Sequence, residues 1–177
     1  RVQAYCFRMK LTQDDPMPFP RPRVYDPMQY EILARLFEAE AYPRIQFRFD
    51  TNNHHLFVGA YFINYVGGNY EWPDGDYLTR ERIFQEHLNY QVGVMWFLQN
   101  SDRIPEKYAE EFRTWGLPRD VYTQSGGWTH QLYIREGRRM VSDYVMTEHN
   151  CYHKTVAEDS IGLGTYRMDS HHVQMTV

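Results

Sequence analysis

The stretch Gly126–Asn150, GGWTHQLYIREGRRMVSDYVMTEHN, decides how the chain is read. Two glycines open it, and about six helical turns follow without a proline. At 100° per residue, Tyr133, Ile134, Gly137, Met140, Val141, Tyr144 and Val145 fall on one face, the spacing of a buried amphipathic helix. Arg135, Arg139, Ser142 and Met146 fall on the other. The spacing therefore predicts one long helix. Gly137 sits in its apolar stripe, where close approach of another backbone would offset its poor helix propensity.

The bulk of the chain narrows the classes. Its 177 residues can build one domain with a core. A hydrophobic content of 42% against 24% charged residues is that of a globular chain. The net charge of −4 gives no broad basic field, which disfavours nucleic acid as a partner. No apolar run reaches the ~20 residues of a membrane-spanning helix. Cys6 and Cys151 are the only cysteines; they could pair, but they do not make a disulfide framework. Both ends read as strand, Arg1–Tyr5 and His172–Val177, so we expect a piece of a longer chain, cut inside a sheet.

Residues 2–11 alternate as a strand, with Tyr5, Phe7, Met9 and Leu11 on one face and Cys6, Arg8 and Lys10 on the other. Prolines 16, 18, 20, 22 and 27 mark an extended connector. Asp26-Pro27 then starts a helix as N-cap and N1, with Met28, Ile32, Leu33, Leu36 and Phe37 as its expected apolar face. Ile45–Phe49 and the run from Leu56 to Val66 read as strands around the turn Asp50–Asn53. A helix is predicted from about Thr79 to Leu98, with Ile83, Phe84, Leu88, Tyr90, Val94, Met95 and Leu98 inside. His87 and Gln91 lie in that arc as a satisfied buried pair. A shorter helix follows Pro105 and ends near Trp115. Asp159–Tyr166 reads as a glycine-rich turn into a closing strand. The order predicts an α+β fold: a mixed sheet with a helical insertion over about 79–150, in one domain spanning 1–177.

Three clusters bear on chemistry. Arg135, Arg138 and Arg139 crowd one segment, either as a solvated, salt-bridged face or as an anchor for a carboxylate, a phosphate or a neighbouring domain. His149 and His153 have zinc-chelating spacing on a helix, but Asn150 suits a helix end and no CxxC or HExxH supports them, so we expect no metal. Asp169 and His171 share a strand face while His172 looks the other way, an arrangement that suits a general base with its orienting partner. No GxSxG, P-loop or GxGxxG is present.

Several stretches together resemble a known family: VQAYCFRM (2–9), YDPMQYE (25–31), DTNN (50–53) and GDYLTRERIFQEHLNYQVGVMWFLQNSDRIP (75–105). They continue in WGLPRD (115–120), the long stretch 126–150 and DSIGLGTYRMDSHHVQ (159–174). The pattern is similar to the central region of the FAD-dependent oxidoreductases loosely labelled xanthan-lyase-related. The resemblance implies the substrate domain of a two-domain, glutathione-reductase-like flavoprotein, with FAD as cofactor and both flavin-binding parts absent from this chain. It implies an enzyme for the parent protein and inactivity for this segment alone.

On that reading the segment covers the flavin ring and orients a small, sugar-like or hydroxylated substrate for hydride transfer. Its partners would be that substrate and the flavin-binding domain of the same protein. From the pattern, His171 is the expected base with Asp169 as its orienter. Arg8 and Tyr166 line the pocket, and Arg135 or Arg139 holds an anionic group or the flavin domain. The competing reading is a non-catalytic carbohydrate-binding or interaction domain, resting on Trp72, Trp115, Trp128 and the tyrosine surplus.

Overall fold

The computed structural model describes residues 2–40, 48–50, 55–57, 64–164 and 171–174. Residues 2–12 run extended, and β1 (Cys6–Phe7) is their paired centre. The expected alternation holds on one side, where Tyr5, Phe7, Met9 and Leu11 are buried. On the other side Ala4 and Cys6 are buried as well, so this strand has apolar neighbours on both faces at its middle.

The proline-rich connector stays extended and bridges Met17 to Leu117, while Thr12 bridges to Gly116. Asp26 then caps, its carboxylate accepting from the Met28 amide, and Pro27 opens a 3₁₀ turn, Pro27–Tyr30. That turn runs into α1 (Glu31–Glu38). A 3₁₀ turn advances faster per residue than an α-helix, so it shifts the phase of α1. Tyr30, Leu33, Ala34 and Phe37 face the core, whereas Met28 and Ile32, expected inside, are exposed. Strands β2 (Arg48–Asp50) and β3 (His55–Phe57) pair antiparallel, Arg48 opposite Phe57 and Asp50 opposite His55.

The central helix is α2 (Tyr77–Asn100), about 36 Å long. Asp76 caps it, its side chain accepting from the Thr79 amide at 2.8 Å. Ile83, His87, Gln91, Met95 and Leu98 form a buried stripe with the four- and three-residue steps of a helix face. In its second half Val92, Gly93, Val94 and Phe97 are buried too, because the Pro27–Tyr30 turn, β1 and α3 (Glu106–Arg113) close around it. Gln99 ties α2 to the end of α3 by donating to the carbonyls of Phe112 and Trp115.

The long helix expected over 126–150 does not form. Gly126 and Gly127 have φ of 65° and 85° and end a 3₁₀ turn, Thr123–Ser125. The chain then enters β4 (Leu132–Tyr133), which pairs antiparallel with β1, Cys6 opposite Tyr133 and Phe7 opposite Leu132. Residues 134–146 continue without helix, and only Glu148–Cys151 forms a last short helix, α4. Helices draw most of their stability from burying an apolar face, and this one has nothing to bury it. Ile134, Met140, Val141, Tyr144 and Val145, the residues of the proposed stripe, are all exposed. Tyr, Ile, Val, Ser, Asp and Thr also make this a segment of low helix propensity. The α-helix before this stretch, α3, therefore ends at Arg113, and the expected helix running on to Asn150 is not seen.

Among the described residues, then, the β structure is two small antiparallel pairs beside four α-helices, an α+β chain rather than a continuous mixed sheet. The expected closing strand reaches the described residues at 171–174. There the Ala4 amide donates to the His172 carbonyl at 3.0 Å and the Gln3 side chain accepts from the His171 amide.

Candidate functional site

Two hollows bear on function. The first lies between α1 and α2. Ile32, Leu33 and Leu36 line it from α1, Tyr90 and Val94 from α2, and His172 and Gln174 from the closing segment, around about 220 Å³. Its wall is an aromatic stack. Tyr30 donates its hydroxyl to the Tyr90 carbonyl at 3.2 Å, and the Tyr65 and Tyr90 rings stack at 4.4 Å. Burial pushes the Tyr90 phenol up to about 12, so it is a neutral donor at physiological pH.

Behind this stack lies a buried polar group. The His87 ring meets Tyr65 edge-on at 5.1 Å, and its Nδ1 lies 2.7 Å from the Ile83 carbonyl. A ring nitrogen facing a carbonyl must carry the proton, so neutral His87 presents Nε2 as an acceptor. Burial pushes its pKa down, against the opposing effects of that bond and of Glu86. Gln91 gives its oxygen to the Phe7 amide. The sequence pattern predicts His87 and Gln91 as a satisfied pair. The structure satisfies one end of each, and among the described residues His87 Nε2 and Gln91 Nε2 have no partner.

The second hollow, about 370 Å³, is walled by Trp72, Pro73 and Arg80 on one flank and by Ile134, Arg135, Gly137 and Arg138 on the other, with Tyr5. Arg135 reaches back across β1, its Nη1 donating to the Ala4 carbonyl at 2.6 Å and lying 3.9 Å from Cys6 Sγ. Its Cζ is 5.0 Å from the centre of the Tyr133 ring, and Arg8 Cζ is 3.8 Å from the same ring. The structure thus brings Arg8 and Arg135 together through a shared aromatic partner. Arg139 is exposed and lines neither hollow. Without a helix the four-residue step no longer sets Arg135 and Arg139 on one face.

His171 is half-buried, and its neighbour His172 is the one that lines the apolar hollow. Asp169 and Tyr166 lie outside the described residues. His149 and His153 are exposed around α4, and the described residues hold no group of three His, Cys, Asp or Glu side chains placed to bind a metal. Trp115 and Trp128 are buried in the core, so their faces are spent on packing rather than offered to a sugar. The cysteines are both free, Cys6 buried and Cys151 exposed.

The comparison with family models identifies residues 1–176 as a match to the FAD dependent oxidoreductase model. The chain belongs to that family. No curated protein and no solved structure matches it. Membership in a family of FAD-dependent oxidoreductases makes FAD the cofactor. Gly126, Gly127, Gly162 and Gly164 form no glycine cradle for the cofactor's pyrophosphate. A dinucleotide cradle needs glycines packed between a strand and a helix N-terminus. Gly162 and Gly164 instead lie in open space, with nothing within 4 Å of a Cβ placed on either. Gly126 and Gly127 lead into β4.

Arg80 was missed in the sequence. Nothing around it in the chain marks it, because the segment that faces it across the hollow is more than fifty residues away. Arg138 was visible only as one of a crowd.

Proposed function

We propose that this chain is the part of an FAD-dependent oxidoreductase that shapes the substrate pocket for hydride transfer from a small, hydroxylated substrate. The flavin would be held by another domain of the same protein. The redox chemistry is the flavin's when it is bound; this chain's residues bind the substrate, orient it and take its proton. The observation that carries the reading is the closing segment. Its bonds to Gln3 and Ala4 hold His171 and His172 in place, with His172 at the edge of an apolar hollow, the usual composition of a small-molecule pocket, and His171 next to it in the chain.

In this reading His171 takes the hydroxyl proton, since imidazole is the side chain suited to that transfer near neutral pH, and Asp169 orients its ring. Arg8 and Tyr166 line the pocket. Arg135, rather than Arg139, holds an anionic group or the flavin domain, because its guanidinium is anchored on Ala4. The anaerobic rate of flavin reduction in the flavin-loaded protein, with a panel of sugars and hydroxy acids, tests it. His171→Ala should slow reduction roughly 10²–10⁴-fold with flavin content intact, and His172→Ala far less. Loss in His172→Ala alone would transfer the role to the histidine beside the hollow. Unchanged rates in both variants would overturn the reading.

A further inference from the structure

We propose that the hollow between Trp72 and Arg138 is an oxyanion-binding site that takes the phosphate or carboxylate group of a small metabolite. The decisive feature is how its guanidiniums are held. The carbonyl of Pro73 accepts from Arg80 Nη2 at 3.2 Å and from Arg138 Nη2 at 2.6 Å, so two cations sit on one oxygen. Arg80 is further fixed by donating its Nε to the Trp72 carbonyl at 3.0 Å. Arg135 is fixed from the other flank by the Ala4 carbonyl.

Two of these three guanidiniums have no carboxylate partner among the described residues. Arg138 pairs with Asp74, whose side chain is 92% exposed. Among the described residues neither Arg80 nor Arg135 has a carboxylate within salt-bridge distance. The nearest acid in sequence, Glu136, gives Oε1 to the Gln3 side-chain amide. Each carbonyl bond uses only part of a guanidinium's five donors, and the anchoring leaves the forks oriented in advance. Three fixed cations around one cavity are the arrangement that recognises a phosphate or carboxylate through charge-assisted hydrogen bonds. Gly137 makes the hollow possible, since a Cβ there would stand 2.6 Å from Pro73 Cγ and 3.1 Å from Val2 Cγ1.

The site stands independently of the flavin reading, because binding is measured without turnover. Isothermal titration of the full chain at low ionic strength, with inorganic phosphate and separately with acetate, tests it. We expect saturable one-site binding of at least one of them, which names the anion: phosphate alone marks a phosphate ester, acetate alone a carboxylate. Arg138→Gln, on a side chain 70% exposed, should weaken binding about tenfold while the urea midpoint shows the variant still folded. Arg119→Gln, which removes the same charge from a loop paired with Asp15, should leave affinity unchanged. Absence of saturable binding by both anions, or an equal loss in Arg119→Gln, would overturn the proposal.

Discussion

Gly93 and Tyr30 occupy one another's space. A Cβ at position 93 would stand 2.0 Å from the Tyr30 hydroxyl oxygen and 2.9 Å from its ring carbon Cζ. The phenol lies across α2 where any other residue would carry a side chain, and from there it reaches the Tyr90 carbonyl and lines the apolar hollow.

Gly93→Ala should therefore destabilise the protein. In a helix interior alanine gains about 1 kcal/mol over glycine. Here the methyl must displace a buried tyrosine that is bonded at its far end, and overpacking of that kind costs about 1–3 kcal/mol. The clash wins, and urea melts should show a lowered midpoint. The double variant Gly93→Ala, Tyr30→Phe should recover part of the loss, since the atom nearest the new methyl is the one removed. A midpoint raised in the single variant would mean that Tyr30 can swing away freely.

The helix start at Asp26 shows why some of the fold was legible: its carboxylate caps an amide two residues away, so the sequence window contains the whole interaction, whereas the cap at Asp76 was read only as part of a turn. The alternation of Tyr5, Phe7, Met9 and Leu11 was legible for the same reason. The stretch 126–150 failed because its conformation is set from a distance. β4 is extended because β1 pairs with it, and Arg135 and Arg138 hold the residues after it against Ala4 and Pro73. A helical spacing of apolar residues has meaning only if something buries them. The candidate site was legible as residue types and hidden as geometry: Arg135 was visible, while its neighbour Arg80 and the position of His172 beside a hollow depended on long-range packing.

His87 should make stability depend on pH in the range just below neutrality. Burial depresses its folded pKa below the ordinary 6.5, so between the two values the unfolded chain binds the proton and the folded chain does not. Stability from this group is fully present above pH 6.5 and falls as pH drops toward the folded value. Urea midpoints taken between about pH 7.5 and 5.5 should decline in the native protein and decline less in His87→Gln, which has no proton to gain. Identical slopes in the two proteins would show that His87 is charged or solvated in the folded state.

Arg135 should control access to Cys6. Its guanidinium lies 3.9 Å from the sulfur through both Nη atoms, and Cys6 itself is buried opposite Tyr133. Burial pushes the Cys6 thiol up, and Arg135 and Arg8 only partly oppose it. Titration with a thiol-specific disulfide reagent should then be biphasic in the folded protein, exposed Cys151 reacting at once and Cys6 only as the structure opens. Arg135→Ala has two opposing effects on Cys6. It removes a cation that favours the thiolate, and it uncovers the sulfur. Burial is the larger cause of the raised pKa, so uncovering dominates. The slow phase should quicken roughly tenfold, the equivalent of losing one hydrogen bond to a charged group, about 1.5 kcal/mol. Cys151→Ser assigns the phases by abolishing the fast one. A slow phase unchanged by Arg135→Ala would place the barrier to Cys6 in the opening of the β1–β4 pair itself, with the guanidinium a bystander.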